Sequence, residues 1–348
     1  MRARPRFLKA MLLSVVLAAA VALGPAPARA QGNLTLYCSP QIEWCQLVVS
    51  EFEKATGIKV AMTRKSSGET YAQIKAESAN PKGDVWWGGT GDPHLQAAEE
   101  GLTLEYASPR LGELQDWAKG VAAAAKNRTA GIYAGALGFG YNTELLAKKK
   151  LSEPRCWKDL VKPEYKGEVQ VADPNSSGTS YTMLATMVQL LGEPEAFEYL
   201  KKLHRNVNQY TKSGSAPIKA AAQGETTIGI VFMHDAVAMA VRGSPIRTVA
   251  PCEGTGYEIG SMSIIKGARN LASAKKFYDW ALSAEAQALA ATVEAYQVPS
   301  NKAAPTPPQA PKLAEIKLIS YDFAKYGSSA ERKRLLQKWD KEVKSLPQ

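Results

Sequence analysis

The feature that most constrains this chain is a recurring order: a short apolar run, a turn of small polar residues, then a longer amphipathic stretch. Leu34 to Tyr37 is followed by Ser39-Pro40 and by a helical pattern from Ile42 to Thr56, closed by Gly57. Ile58 to Thr63 leads through Ser66-Ser67-Gly68 into a predicted helix over 70–78, and Val85-Trp86-Trp87 leads through Gly88 to Pro93 into another. The order returns at Glu168 to Ala172, Asp173 to Gly178 and Thr179 to Leu191. It returns again at Thr226 to Phe232, His234-Asp235 and a helix ending at Arg242. Strands and helices alternating at this spacing require a largely parallel sheet covered on both faces, an α/β fold. Further strands are predicted over Leu137 to Tyr141, Ile246 to Val249 and Tyr257 to Ile265. Further helices are predicted over 142–150, 195–204, 270–283 and 284–294. A Pro-rich break at 305–311 precedes a charged, mostly helical tail. With 348 residues the chain has material for two domain-sized cores.

The beginning of the chain reads as an address. Arg2, Arg4, Arg6 and Lys9 precede an apolar run from Met11 to Leu23, and Ala28-Arg29-Ala30 supplies a small-x-small cleavage site. This is the pattern of a secretory signal peptide, so a periplasmic location through a cleaved leader is expected. Loss of residues 1–30 removes five cations and no acid, and the formal charge of +10 falls to +5. With no cluster of Lys and Arg interleaved with aromatics, nucleic acid is not an expected partner. No later stretch is long and apolar enough for a membrane span, since Ile228 to Val241 is broken by His234-Asp235. In an oxidising compartment the four cysteines are expected to pair. Three pairings exist, and proximity in sequence favours Cys38 with Cys45 and Cys156 with Cys252. A zinc site lacks the C-x-x-C pairs or neighbouring His it would need, and no metal or other cofactor is expected.

The candidate chemistry lies where strands end and helices begin. Asn175-Ser176-Ser177-Gly178-Thr179-Ser180 offers hydroxyls and unpaired amides at a predicted helix start, a cup suited to phosphate. Such clusters also serve simply as N-caps. Ser66-Ser67-Gly68 and Ser39 repeat the chemistry earlier in the chain, and Gly88-Gly89-Thr90 allows close backbone approach. His234-Asp235 interrupts an apolar stretch, and Glu258 sits between apolar neighbours on Gly256-Tyr257-Glu258-Ile259-Gly260. Carboxylates there suit sugar hydroxyls; a helix cap for Asp235 and a hinge salt bridge for Glu258 are the plainer alternatives. Alternation sends one of Trp86 and Trp87 inward, and Trp87 is the candidate to stack on a ligand. Neither a G-x-S-x-G nor an H-E-x-x-H motif occurs, so an enzyme is not expected.

Segments 34–41 (LTLYCSPQ), 86–94 (WWGGTGDPH), 138–143 (GFGYNT), 163–169 (PEYKGEV), 173–182 (DPNSSGTSYT), 229–236 (GIVFMHDA) and 256–267 (GYEIGSMSIIKG) together resemble a known group. It is the periplasmic solute-binding proteins of ABC importers in the ferric-binding-protein-like family. The resemblance implies a type II periplasmic-binding fold, two α/β lobes joined by a hinge. Its implied division is signal peptide 1–30, first lobe 31–137 and 262–300, second lobe 138–261, and a C-terminal helical tail 301–348 of open assignment. Ferric-binding members use adjacent tyrosines as iron ligands. No two tyrosines are adjacent here, and Tyr181 and Tyr210 cannot supply the pair. The chain is most similar to the branch that binds hexose phosphates. That similarity implies phosphate binding by Ser39, Ser67, Ser176, Ser177 and Thr179, and sugar binding by His234, Asp235 and Glu258, beside Trp87. A branch that binds 2-aminoethylphosphonate would use a similar cup, with the acids taking the ammonium. The implied partners are a small phosphorylated ligand and an inner-membrane ABC permease or a sensor kinase, with the protein acting as a monomer.

Overall fold

The computed structural model describes residues 32–347, so the leader lies outside the described residues. The first strands and helices alternate as β1 (Asn33–Cys38), α1 (Ile42–Thr56), β2 (Lys59–Arg64), α2 (Ser67–Ala76), β3 (Val85–Trp87) and α3 (Gly91–Glu99). Then come α4 (Asp116–Ala124), the long β4 (Ala130–Asn142), α5 (Thr143–Lys148), β5 (Val169–Ala172), α6 (Gly178–Leu191) and α7 (Glu193–His204). They are followed by β6 (Val207–Thr211), α8 (Ala216–Gln223), β7 (Ile228–Phe232), α9 (Met233–Val241), β8 (Ile246–Val249) and β9 (Tyr257–Ile264). The chain ends with α10 (Leu271–Ala281), α11 (Ala284–Ala288), β10 (Val298–Pro299), α12 (Phe323–Tyr326) and α13 (Ser329–Trp339). Among the described residues no helix is long and apolar enough to cross a membrane.

The strands run in the order β2-β1-β3-β9-β4-β7-β5-β6, with β8 and β10 also paired to β4. In the first lobe β1 lies between β2 and β3, parallel to both; in the second, β5 lies parallel to β6 and β7. Parallel strands put their C-terminal ends, and the helix starts that follow, on one side. The antiparallel β4 joins the two lobes. Ala130–Ala136 pairs with β9, and from Leu137 to Tyr141 the partner is β7. At the change of partner, Leu137 N donates to Gly256 O at 3.0 Å and Thr255 Oγ1 donates to Leu137 O at 3.0 Å. The strand expected over 137–141 is therefore the second half of a 13-residue strand. Its first half, rich in Ala and Gly, gives no apolar run to read.

Each lobe has its own core. Phe52, Trp87, Ile132, Met262 and Phe277 belong to one, and Phe139, Trp157, Tyr181, Leu200 and Phe232 to the other. The C-terminal tail adds Tyr321, Tyr326, Leu335, Trp339 and Val343 to the second core. It also touches the hinge, where Thr255 N donates to Lys317 O and Ile319 N to Thr255 O, both at 2.9 Å.

Both favoured disulfides are present, Cys38–Cys45 and Cys156–Cys252. They close segments of very different length, with separations of 7 and 96 residues. Restriction of the unfolded chain grows with loop length. Replacing Cys156 and Cys252 by Ser is expected to cost about 4–5 kcal/mol, and replacing Cys38 and Cys45 about 2 kcal/mol. Denaturant unfolding of the two double variants beside the parent protein measures both.

Candidate functional site

The crevice between the lobes is built largely from helix starts. Its lining includes Gln41 before α1, Ser66 and Ser67 at α2, Thr90 before α3, Ser177 to Thr179 at α6, Ser215 before α8, and His234-Asp235 at α9. First-turn amides have no acceptor within their own helix, and each helix start carries partial positive charge. The crevice holds about 400 Å³ of space between its atoms, open solvent at its mouth included.

One group of lining residues is a pack of hydroxyls and glycines. Ser39 Oγ is shared with Thr70 Oγ1 at 3.1 Å and accepts from Trp86 Nε1 at 2.9 Å. Ser67 Oγ accepts from Thr90 N at 3.1 Å. A Cβ on Gly214 would lie 2.0 Å from Thr179 Oγ1 and 2.9 Å from Ser177 Oγ, and one on Gly178 would lie 1.8 Å from Thr90 Oγ1. Backbone and hydroxyls meet there at distances only glycine permits. Gly89 also has φ +83°, a conformation that favours glycine. Arg64, the last residue of β2, adds a cation to the lining. Its Nε donates to Pro40 O at 2.9 Å, and one Nη donates to Ser39 O and to Ser213 Oγ, both at 3.3 Å. Burial pulls its pKa down, and the carboxylates of Glu69, Asp235 and Glu43 oppose that.

A second group of lining residues is rich in acceptors. His234, Asp235 and Glu258 are all buried there, with Gln41, Gln297, Tyr133 and Phe232 beside them. Gln41 Nε2 donates across the crevice to Asp235 Oδ1. His234 Nε2 is 3.9 Å from both Asp235 Oδ2 and Glu258 Oε1. Burial pulls the imidazole pKa down against the upward pull of Asp235, which favours the neutral ring. Burial pushes the Glu258 carboxyl well above its usual range, and Asp235 and Asp92 push it the same way. Unpartnered polar atoms gather in this lining: Gln41 Oε1, Thr90 Oγ1, His234 Nδ1 and Gln297 Oε1. Buried polar atoms left unpaired are costly, and their concentration at one crevice marks a place for a polar ligand.

Ser39, Ser67, Ser177, Thr179, His234, Asp235 and Glu258 thus share the crevice. Two expected residues do not. Ser176 turns its hydroxyl to Asp173 O and Lys212 O, at 3.2 and 3.1 Å. Its carbonyl accepts from Gly68 N and Glu69 N of the opposite lobe, at 2.9 and 3.3 Å, making it a contact between lobes. Trp87 packs edge-on against Trp44, ring centres 5.0 Å apart, inside the first core. Trp86 stacks on His94 at 3.5 Å, so alternation within this buried three-residue strand exposes neither ring. Arg64, Gln41, Tyr133 and Gln297 escaped the sequence reading. Arg64 had a readable signal, because it ends a strand directly before Ser66-Ser67-Gly68.

Ferric iron would need phenolates. Tyr133 is the tyrosine in the lining, and its hydroxyl accepts from Gly89 N at 2.8 Å. Tyr181 OH donates to Tyr326 O, and Tyr210 OH lies 2.9 Å from His204 Nδ1, both outside the lining. Among the described residues, the group of potential metal ligands within coordination distance is Cys156, Cys252 and Glu253, whose sulfurs form a disulfide.

Residues 90–326 match the family of bacterial extracellular solute-binding proteins. An uncharacterized protein of Haemophilus influenzae is 48% identical over 333 residues, covering 95% of this chain and 96% of its own. The periplasmic binding protein AfuA from Actinobacillus pleuropneumoniae, solved with exogenous fructose-6-phosphate bound, is 48% identical with a TM-score of 0.89; the match covers 91% of this chain and 100% of that one. The periplasmic binding protein P5PA is 42% identical with a TM-score of 0.87, over 90% and 99% of the two chains. These neighbours are type II periplasmic-binding proteins, the fold class that the resemblance implies.

Proposed function

Because the chain belongs to the bacterial extracellular solute-binding proteins, the substrate-capturing components of ABC importers, we propose that it captures a phosphorylated sugar of the hexose 6-phosphate type. The observation that carries this reading is the mixed chemistry of the crevice. Helix-start amides, hydroxyls of Ser39, Ser67, Ser177 and Thr179, and Arg64 supply donors to its lining. Asp235, Glu258 and the free amide oxygens of Gln41 and Gln297 supply acceptors. A ligand that suits both carries a dianionic head and a tail with several hydroxyls. The 48% identical AfuA, solved with fructose-6-phosphate, supports the same reading.

The lobes divide at Leu137 and at Gly256-Tyr257, where β4 changes partner and β9 begins. Rotation about these crossings closes the lobes over the ligand, which is then handed to the membrane permease. The protein reaches the periplasm through its cleaved leader.

Calorimetric titration of ligand-stripped protein tests the reading. Glucose 6-phosphate and fructose 6-phosphate are expected to bind at micromolar strength or better, about −8 kcal/mol, and 2-aminoethylphosphonate far more weakly. An ammonium satisfies fewer of the acceptors than a row of hydroxyls does. Absence of heat with every hexose phosphate, or tighter binding of the aminophosphonate, overturns it.

A further inference from the structure

Behind the crevice wall lies a second buried carboxylate that does not line it. Asp92 is 1% exposed, in the first turn of α3, and its Oδ2 has no hydrogen-bond partner. The helix start packs directly on β9: a Cβ on Gly91 would lie 2.6 Å from Ile259 O, next to Glu258. The two carboxyls have unequal company. Burial pushes the Asp92 carboxyl up to about 6, held from rising further by the guanidinium of Arg332 on α13 and by Tyr321 OH, which donates to Asp92 Oδ1 at 3.3 Å. Glu258 is 3% exposed, and His234 Nε2 stands off from its Oε1 at 3.9 Å. The groups facing Glu258 are Tyr133 from β4, His234 and Asp235 from α9, and Asp92 from α3, with Arg64 beyond Asp235. Those facing Asp92 are Tyr321, Arg332 and Tyr181.

Resting on the sugar-phosphate reading, we propose that Asp92 is a positioning residue: it stays ionised against Tyr321 and Arg332 and keeps Glu258 as a neutral carboxylic acid that donates its O–H to a ligand oxygen. Glu258 is buried with Asp235 and Asp92 as negative neighbours, and of Asp92 and Glu258 the one with a donor and a cation keeps the charge. Glu258 then supplies a donor among neighbours that are mostly acceptors. It selects a ligand with a lone pair at that place, such as a ring or hydroxyl oxygen, over an ammonium that has none. The tail also enters the site's chemistry, because Tyr321 and Arg332 both belong to it.

Glutamine mimics a neutral glutamic acid. With glucose 6-phosphate as the probe, Glu258→Gln is expected to stay within about threefold of the parent affinity, while Glu258→Ala loses about tenfold or more. Removing a negative neighbour lowers the pKa of Glu258. In Asp92→Asn the alkaline loss of affinity should therefore move down by about one pH unit, and in Glu258→Gln it should vanish. The ligand's own ionisation is common to all the proteins and cancels in the ratios. An infrared band of a protonated carboxyl in ligand-free protein, absent from Glu258→Gln, reads the same proton without any ligand. If that band is present and no hexose phosphate binds, the inference about the proton stands and the sugar-phosphate reading falls. Absence of the band, a Glu258→Gln loss equal to that of Glu258→Ala, or superimposable profiles for Asp92→Asn and the parent overturns the inference.

Discussion

Gly178→Ala is expected to weaken glucose 6-phosphate binding by about ten- to hundredfold, with no loss of stability in the ligand-free protein. Gly178 is the first residue of α6 in the second lobe, and Thr90 precedes α3 in the first. A Cβ on Gly178 would lie 1.8 Å from Thr90 Oγ1 and 2.9 Å from both its Cβ and its Cγ2. Rotating Thr90 exchanges one clash for another, so the lobes must stay apart. Extra atoms forced into a packed contact cost about 1–3 kcal/mol, which is the source of the expected range. The same methyl is harmless within α6, where Ala forms helix better than Gly does. Calorimetry gives the affinity, thermal unfolding gives the stability, and X-ray scattering with ligand shows whether the molecule still compacts. Thr90→Gly in the same chain removes the obstructing atoms and should restore part of the binding, since Gly is a tolerable N-cap. Unchanged affinity in Gly178→Ala would mean that ligand is held without this contact between lobes.

Much of this arrangement was legible because parallel α/β architecture puts strand ends and helix starts together. Ser39, Ser67, Ser177, Thr179, His234 and Asp235 all follow a strand in sequence, and the fold brings those turns to one crevice. Glu258 was legible for a different reason, a charge between apolar neighbours on a crossing strand. The failures have equally local causes. β3 is three residues long and buried on both faces, so alternation could not separate Trp86 from Trp87. Ser176 and Ser177 are chemically alike, and a turn decides which of them meets the ligand space and which meets the other lobe. Tyr133 lies in the Ala- and Gly-rich half of β4, and Gln297 precedes a two-residue strand. Neither segment is long or apolar enough to announce a strand, so neither side chain could be aimed from sequence.

Asp235→Ala is expected to cost hexose 6-phosphate binding about tenfold to a thousandfold, while inorganic phosphate, which on the proposed reading meets the hydroxyls and not the acids, stays within about twofold. A carboxylate accepts two or more hydrogen bonds from a polyol, and each bond to a charged group contributes about 1.5–3 kcal/mol. Asp235 also sits in the first turn of α9, where a negative charge favours the helix, so a small stability loss of about 0.3–1 kcal/mol accompanies the change. The competing account is that Asp235 matters only because Gln41 Nε2 reaches it across the crevice and holds the lobes shut. That account requires closure to weaken for every ligand, so phosphate and sugar phosphate would lose affinity together. Gln41→Ala separates the two, because it breaks the bridge and leaves the carboxylate free for sugar hydroxyls. If Asp235 grips the sugar, Gln41→Ala binds hexose phosphate far better than Asp235→Ala does. If the two variants lose equally on both ligands, the carboxylate serves closure alone, and the sugar must be read by Glu258, His234 and Gln297.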